Sequence, residues 1–241
     1  NDFSAYAMCC ACGGGSTNGS LSEMRRRKLT SCVSGTINSD GKCVCGEIDL
    51  GPGGTYNDYT YYYSDCQIIG NYVKVQMCAD CKDLKFLSNV ESILCLHCMD
   101  SEGDFALNII GNTELKSLDG VENITGTIKN IQVEANDILT SVRGLSGITT
   151  IEDELFIAKN PILESLEGLH NINVIYSGVS LESNSKLKTL EGLRGLEYIA
   201  NHIYIARNPD LWSFSGMRNL RYVDQVYVRN KKKSTFFRPK F

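Results

Sequence analysis

Cysteine is absent from the second part of the chain, because all eleven cysteines among its 241 residues lie between Cys9 and Cys98. The chain also lacks an apolar run of about 18 residues, which argues against a membrane-spanning helix. Only 4 prolines and 42% hydrophobic residues exclude a collagen or a low-complexity disordered protein. Basic residues are outnumbered, 24 against 28, which argues against a general nucleic-acid binder. We expect a folded, soluble protein that binds no nucleic acid and does not insert into a membrane.

Catalytic motifs are missing as well. The three histidines, His97, His170 and His202, accompany no nucleophile elbow, metalloprotease helix, P-loop or dinucleotide fingerprint. A polysaccharide-cleaving solenoid would need two converging carboxylates, one as acid and one as base. Acidic residues are plentiful, but no pair stands out among Glu152, Asp153, Glu154, Glu164 and Glu167. We therefore predict that the protein is not an enzyme and needs no cofactor, with a solenoid carbohydrase as the remaining catalytic alternative.

The dense cysteines of the first part predict disulfides and hence an oxidising compartment, where small domains use such bonds in place of a large core. Two Asn-x-Ser/Thr sequons, at Asn18 and Asn123, are predicted glycosylation sites and agree with secretion or display at the cell surface. The chain begins at Asn1 without a methionine or a signal peptide, so we expect a processed or partial chain.

An odd number of cysteines cannot pair completely within one chain, so at least one is free or is bonded elsewhere, and Cys9, Cys10 and Cys12 are the first candidates. The pairs Cys78-x2-Cys81 and Cys95-x2-Cys98 also have the spacing of a four-thiolate zinc site. We favour two disulfides that cap a solenoid over zinc. The candidate disulfide residues are Cys9, Cys10, Cys12, Cys32, Cys43, Cys45, Cys66, Cys78, Cys81, Cys95 and Cys98.

A repeat of 24 residues without insertions fills residues 105–228. One column of the repeat is glycine, at Gly120, Gly144, Gly168, Gly192 and Gly216. Another column is asparagine, at Asn112, Asn136, Asn160, Asn184 and Asn208. Two apolar residues alternate with other residues just before each asparagine, as Leu155 and Ile157 do, which predicts a short strand with one buried face.

Such a repeat is typical of a parallel β-solenoid, in which each coil buries its apolar side chains against its neighbours. The asparagines are predicted to be buried and to bond the backbone of adjacent coils. The alternate positions of each strand then face outward and form a candidate binding face. Its two columns are Asn108, Gln132, Phe156, Ser180, Tyr204 and Ile110, Glu134, Ala158, Glu182, Ala206.

The pattern L-x-I-x-x-N-x-x-L-x-x-L-x-G-L, clearest in Leu155 to Leu169, resembles the receptor L domain over about residues 100–230. This resemblance implies a right-handed β-helix without catalytic activity, as in the ligand-binding lobes of insulin- and epidermal-growth-factor-receptor ectodomains and in microbial surface proteins. Residues 2–15 resemble the end of a small disulfide module in secreted and surface proteins of unicellular eukaryotes. Cys32-x10-Cys43-x-Cys45 resembles an epidermal-growth-factor-like loop.

Two further segments are candidate contact surfaces. Tyrosine gives a large contact area at low entropic cost, and a cluster contains Tyr59, Tyr61, Tyr62 and Tyr63. The tail combines positive charge with phenylalanine, which favours contact with an acidic neighbour, through Lys231, Lys232, Lys233, Phe236 and Phe237. Strand packing and a solvated tail are the simpler alternatives.

We therefore predict a mainly β chain with cysteine-rich disulfide modules at residues 1–54, a Tyr- and Cys-rich cap at 55–104, a β-solenoid of five to six coils at 105–228 and a basic tail at 229–241. Its predicted role is that of a structural or adhesive subunit of an extracellular filament, such as a flagellar hair. The partners would be other copies, related extracellular proteins or glycans. The alternative is an ectodomain that binds a peptide or glycan on the outward strand face.

Overall fold

In a computed structural model, three stretches of the chain are described, residues 36–52, 66–96 and 105–230. They form a parallel β-solenoid, which confirms the mainly β fold class. These stretches contain no α-helix, and their only helical segments are four short 3-10 turns.

Fifteen short strands follow one another along the described chain. They are β1 (Thr36–Ile37), β2 (Cys43–Cys45), β3 (Ile48–Leu50), β4 (Ile68–Ile69), β5 (Val73–Gln76), β6 (Ser92–Ile93), β7 (Leu107–Ile110), β8 (Gly126–Ile128), β9 (Ile131–Glu134), β10 (Ile148–Ile151), β11 (Leu155–Ala158), β12 (Val174–Ile175), β13 (Val179–Glu182), β14 (Tyr198–Ala206) and β15 (Tyr222–Arg229).

The strands stack into two parallel ladders. The first ladder runs through β3, β5, β7, β9, β11, β13, β14 and β15. The second ladder contains β2, β4 and β6 and, after a break in strand pairing between β6 and β8, continues with β8, β10, β12 and the first parts of β14 and β15. Because β14 and β15 are long enough to belong to both ladders, the last two coils join the two faces without an intervening turn.

The solenoid has about seven turns, more than the five to six expected from the sequence. The additional turns come from the cysteine-rich half, since β3 and β5 continue the first ladder ahead of β7. The strands therefore cross the domain boundary predicted at residue 104. Equivalent positions Cys78 and Asn112 lie 34 residues apart, against 24 for Asn112 and Asn136, so this longer coil interrupts the constant period.

The buried apolar side chains form one continuous core between the two ladders, from Cys43 in the first coil to Val223 in the last. Inward positions such as Leu155, Ile157 and Leu163 are completely buried. Burial of this kind contributes about 1.5–3 kcal/mol for each large aliphatic side chain. The core is thus shared between coils, and no coil is stable alone.

A column of asparagines connects consecutive coils beside the first ladder. Each Oδ1 accepts the backbone N–H of the column residue one coil earlier, as Asn160 Oδ1 does from Asn136 at 3.1 Å. Each Nδ2 donates to a carbonyl of the preceding coil, as Asn160 Nδ2 does to Val133 at 3.0 Å. All five of Asn112, Asn136, Asn160, Asn184 and Asn208 are fully buried. The N–H of Cys78 begins the column by donating to Asn112 Oδ1.

The residue before each column position adopts the left-handed backbone conformation, which lets the chain turn sharply out of the strand. The φ angles lie between 51° and 67° for Met77, Gly111, Ala135, Lys159, Ser183 and Arg207. Only one of these residues is glycine, although other residues pay a steric cost in this conformation. The asparagine bonds that follow the turn offset this cost.

Neighbouring coils also differ in an alternating manner. Asn123, Asn171 and Asn219 occupy one turn position in every second coil, and each side-chain amide donates to a carbonyl of an earlier coil. Gly147 and Gly195 occupy the same position in the intervening coils, where a Cβ would collide with a backbone oxygen of the preceding coil. At this turn position the structure therefore repeats every two coils.

Candidate functional site

The outward side of the first ladder carries the two columns predicted as a binding face. Parallel pairing aligns Gln132, Phe156, Ser180 and Tyr204 side by side on consecutive strands, with Asn108 before them and Tyr227 after them. Glu134, Ala158, Glu182 and Ala206 form the neighbouring column, after Ile110. Ala158 and Ala206 are only 1% exposed, so these two positions of the predicted face offer almost no surface to a ligand. We call these two columns the strand face.

Two aromatic side chains stand out on the strand face. Phe156 and Tyr204 are both half-buried and lie two strands apart, about 10 Å. Ser180 lies between them, is 8% exposed and donates its hydroxyl to Glu154 at 2.7 Å. Ser180 therefore adds little surface of its own, and the two partly exposed rings are the main aromatic features of the strand face.

Charged pairs border this surface and connect adjacent coils. Lys159 contacts Glu134 at 2.7 Å, and Arg207 contacts Glu182 at 2.6 Å. Gln132 donates to Glu134 at 2.7 Å. The hydrogen bond and the proximity of Glu134 raise the pKa of Lys159, so this ammonium group stays charged. The strand face thus has an aromatic centre and a charged border, a composition typical of recognition surfaces.

A second aromatic surface, which the sequence analysis missed, lies on the second ladder. Tyr198 and Tyr222 stack with ring centroids 5.0 Å apart, and Tyr176 lies 6.4 Å from Tyr198 in a tilted arrangement. All three rings are exposed. Tyr198 and Tyr222 occupy paired ladder positions. Their 24-residue spacing in the sequence could have indicated that the two rings are neighbours. We call this set the tyrosine ladder.

Other predicted contact residues lie outside the described part of the chain. These are Tyr59, Tyr61, Tyr62 and Tyr63 of the tyrosine cluster and Lys231, Lys232, Lys233, Phe236 and Phe237 of the tail. Their roles stay predictions, as does glycosylation of Asn18, which is also outside. Asn123 is exposed at a turn, and its amide donates to the Ser88 carbonyl at 2.6 Å.

The described cysteines are oxidised. Cys45 is bonded to Cys66, and Cys78 is bonded to Cys81. Cys43 and Cys95 are also disulfide-bonded, whereas Cys9, Cys10, Cys12, Cys32 and Cys98 lie outside the described residues. The alternative zinc site would need Cys78 and Cys81 as free thiolates. The disulfide between them is incompatible with that role. Within the described stretches, Cys78, Asp80 and Cys81 are the one group whose ligand atoms lie close enough together for a metal ion.

The acidic residues considered for catalysis mainly connect coils. Glu154 accepts the Ser180 hydroxyl, and Glu164 pairs with Lys188 at 2.6 Å. Both oxygens of Glu167 accept from Arg194, at 2.9 and 3.2 Å. The Arg194 hydrogen bonds lower the pKa of Glu167, which is opposite to the raised pKa that suits a general acid.

Comparison with known families identifies one match. The family model of the receptor L domain matches residues 42–141. No curated protein and no solved structure gives a significant match. No helix among the described residues has the length and apolar character to cross a bilayer.

The match begins in the cysteine-rich half, earlier than the span of about residues 100–230 that carried the resemblance in the sequence. It covers the first coils of the solenoid, whose strands β3 and β5 continue directly into β7. The receptor L domain is a non-enzymatic, ligand-binding family and is typically extracellular. The chain therefore carries a receptor L domain match in residues 42–141 within a parallel β-solenoid, as its repeat pattern predicted.

Proposed function

We propose that the protein is a non-enzymatic, extracellular ligand-binding module. The match to the receptor L domain carries this proposal, because that family binds ligands. The disulfides Cys45–Cys66 and Cys78–Cys81 support an oxidising location. The engagement of Glu154, Glu164 and Glu167 in contacts between coils gives no support to a carbohydrase.

Our proposed binding surface is the strand face around Phe156 and Tyr204. The two half-buried rings are held by the ladder, so they lose little entropy when a ligand covers them. Aromatic rings contact both peptide side chains and the apolar faces of sugars, and the nearby Glu134–Lys159 and Glu182–Arg207 pairs offer polar contacts. A peptide or a glycan therefore suits this surface.

The test is to change the two rings together. The double variant Phe156→Ser, Tyr204→Ser should fold, because Ser180 already occupies the same column between them. We expect it to lose about tenfold or more in affinity for whichever peptide or glycan an array identifies with the wild-type chain, since removing a central aromatic typically costs over 1 kcal/mol of binding. Affinity is measured by calorimetry or surface plasmon resonance.

Trp212→Ser is the matched control. Trp212 is 68% exposed and lies beyond the Asn208 turn, away from the strand face. If the control weakens binding and the double variant does not, the ligand contacts another surface. If neither a peptide array nor a glycan array gives a ligand for the wild-type chain, the proposed function is wrong.

The second candidate function is the filament subunit predicted from the sequence. One observation favours it: β15 is paired on one side only within the described residues, and such an edge can join another chain. A filament subunit should form elongated particles in electron micrographs of the purified chain, and their length should increase with protein concentration. Uniform single particles at every concentration would leave the ligand-binding module as the only candidate.

A further inference from the structure

Among the described residues, the last coil has a row of backbone hydrogen-bonding groups with no strand to pair with. In each earlier coil, alternate residues of the first ladder donate their N–H to the following coil, as Lys159 does to Glu182 and Arg207 to Arg229. The ladder register makes Val226 and Val228 the equivalents of Ile203 and Ile205. Their N–H and C=O groups face away from β14, where no described strand follows.

The last residue of the asparagine column, Asn230, lies at the same end and lacks one of the hydrogen bonds of its predecessors. Asn230 Oδ1 accepts the N–H of Asn208 at 2.9 Å, as its predecessors do. Its Nδ2 is buried and has no hydrogen-bond partner, unlike Nδ2 of Asn208, which donates to Leu181. A buried unpaired donor is costly. Earlier Nδ2 groups also donate to the Oδ1 of the following coil, as Asn160 does to Asn184 at 3.3 Å, and within the described residues no coil follows Asn230 to supply that acceptor.

Positive charge surrounds this open end. The coil from residue 217 to residue 230 contains Arg218, Arg221 and Arg229 against a single acid, Asp224. The side chains of Arg218 and Arg221 are 60% and 79% exposed and only loosely paired, at 3.8 and 3.5 Å, with acids of the preceding coil. Arg229 is exposed and has no ion pair within the described residues.

From these observations we infer that β15 is a docking edge for an extended acidic polypeptide segment, which adds to the first ladder as a further strand. Main-chain bonds to Val226, Val228 and Asn230 would supply the affinity, as in other cases of strand addition. The arginines would select carboxylates on the added strand. This inference goes beyond the proposed function, since it concerns the edge of the ladder and not the strand face.

Charge decides between occupants of the edge. A second copy placed tail-to-tail would bring two arginine-rich ends together, which is repulsive. At the opposite end, β1 pairs antiparallel with β2 and covers the edge of the second ladder. The edge of the first ladder there is β3, which has only three residues, so that end offers less of an edge to join. An acidic strand from another protein meets neither obstacle.

The experiment measures fluorescence anisotropy of a labelled peptide of alternating valine and aspartate, as long as β15, with the full chain. Val226→Pro removes one outward N–H and leaves the bonds to β14 in place, as proline at a sheet edge does. Val226→Ala removes the same side chain but keeps the N–H. We expect the alanine variant to bind like the wild type and the proline variant to bind about tenfold more weakly.

Two further comparisons keep the inference falsifiable should the proline variant fold poorly. The same peptide with alternate backbone amides methylated should bind the wild-type chain about tenfold more weakly, because its main chain can no longer pair. The peptide with lysine in place of aspartate should not bind. The variant Phe156→Ser, Tyr204→Ser should bind the peptide normally, which separates this edge from the strand face.

Several results would overturn the inference. Equal binding of the methylated and unmethylated peptides would show that main-chain pairing is not used, and equal binding of the lysine peptide would show that the arginines do not select acids. Association of the chain with itself that Val226→Pro abolishes would make a second copy the occupant. Peptide binding that appears only after residues 231–241 are removed would make the tail the occupant.

Discussion

Replacing Gly192 by alanine is expected to destabilise the protein by about 3 kcal/mol or more, because the added methyl group has no room. A Cβ at this position would overlap the carbonyl group of Leu166 in the preceding coil. That neighbour is backbone, so it can move only if the two coils separate. The equivalent glycines, Gly144 and Gly216, face the carbonyls of Leu118 and Leu190 in the same way.

The effect is measured as the free energy of unfolding in denaturant, followed by circular dichroism. Gly46→Ala is the matched control, since nothing lies within 4 Å of a Cβ at Gly46 and its backbone is not left-handed. We expect the control to change stability by about 0.5 kcal/mol or less. Equal losses from the two variants would contradict the close approach of coils at the glycine column.

The variant Asn160→Ala is expected to lower the free energy of unfolding by about 1–3 kcal/mol, because two buried backbone groups lose a hydrogen bond and one of them, an N–H group, is left unpaired. Those groups are the N–H of Asn136 and the carbonyl of Val133, both bonded to Asn160 in the wild-type chain.

Lys159→Ala is the neighbouring control. Its ammonium group is largely exposed and pairs with Glu134 at 2.7 Å, a surface contact that solvent screens and that contributes little to stability. Alanine is compatible with its left-handed backbone, because Ala135 occupies the same position one coil earlier. Chemical denaturation of both variants tests the assignment, and equal effects would refute the role of the asparagine column.

The sequence predicts the fold well where the repeat is strict. From Asn112 to Asn208 the coil length is constant, so each column of the sequence corresponds to one position in space, and the alternation of residues such as Leu155 and Ile157 identifies the buried side of a strand. The outward position of Phe156 and Tyr204 follows from the same alternation. These inferences need only the period and the two-residue repeat of a strand.

The first coils escaped detection for physical reasons. The longer coil between Cys78 and Asn112 shifts the register by ten residues, and Cys78 replaces the asparagine that marks the column elsewhere. A disulfide between Cys78 and Cys81 occupies the turn that follows. Sequence self-comparison therefore ends at residue 105, whereas the first ladder continues back to β3.

The candidate surfaces were predicted unevenly. The strand face follows from period-2 alternation, but the tyrosine ladder does not, because Tyr176 is offset from the 24-residue register of Tyr198 and Tyr222 and is brought to them only by the path of the coil. The open edge at β15 can also be recognised only in the three-dimensional structure. Its unpaired groups are identified only once the ladder partners of Val226 and Val228 are known.

The constant coil length determines how the molecule should respond to a stretching force. Because each coil contacts only its neighbours, pulling on the chain after β15 should peel coils from that end one at a time. The first event frees 22 residues and the next ones 24 each, which extend to about 80 Å from a coil that occupied about 5 Å of the rod. A force trace should therefore show regular steps, followed by a longer step where the coil between Cys78 and Asn112 opens. The Cys45–Cys66 bond then keeps the residues between those two cysteines from extending at all.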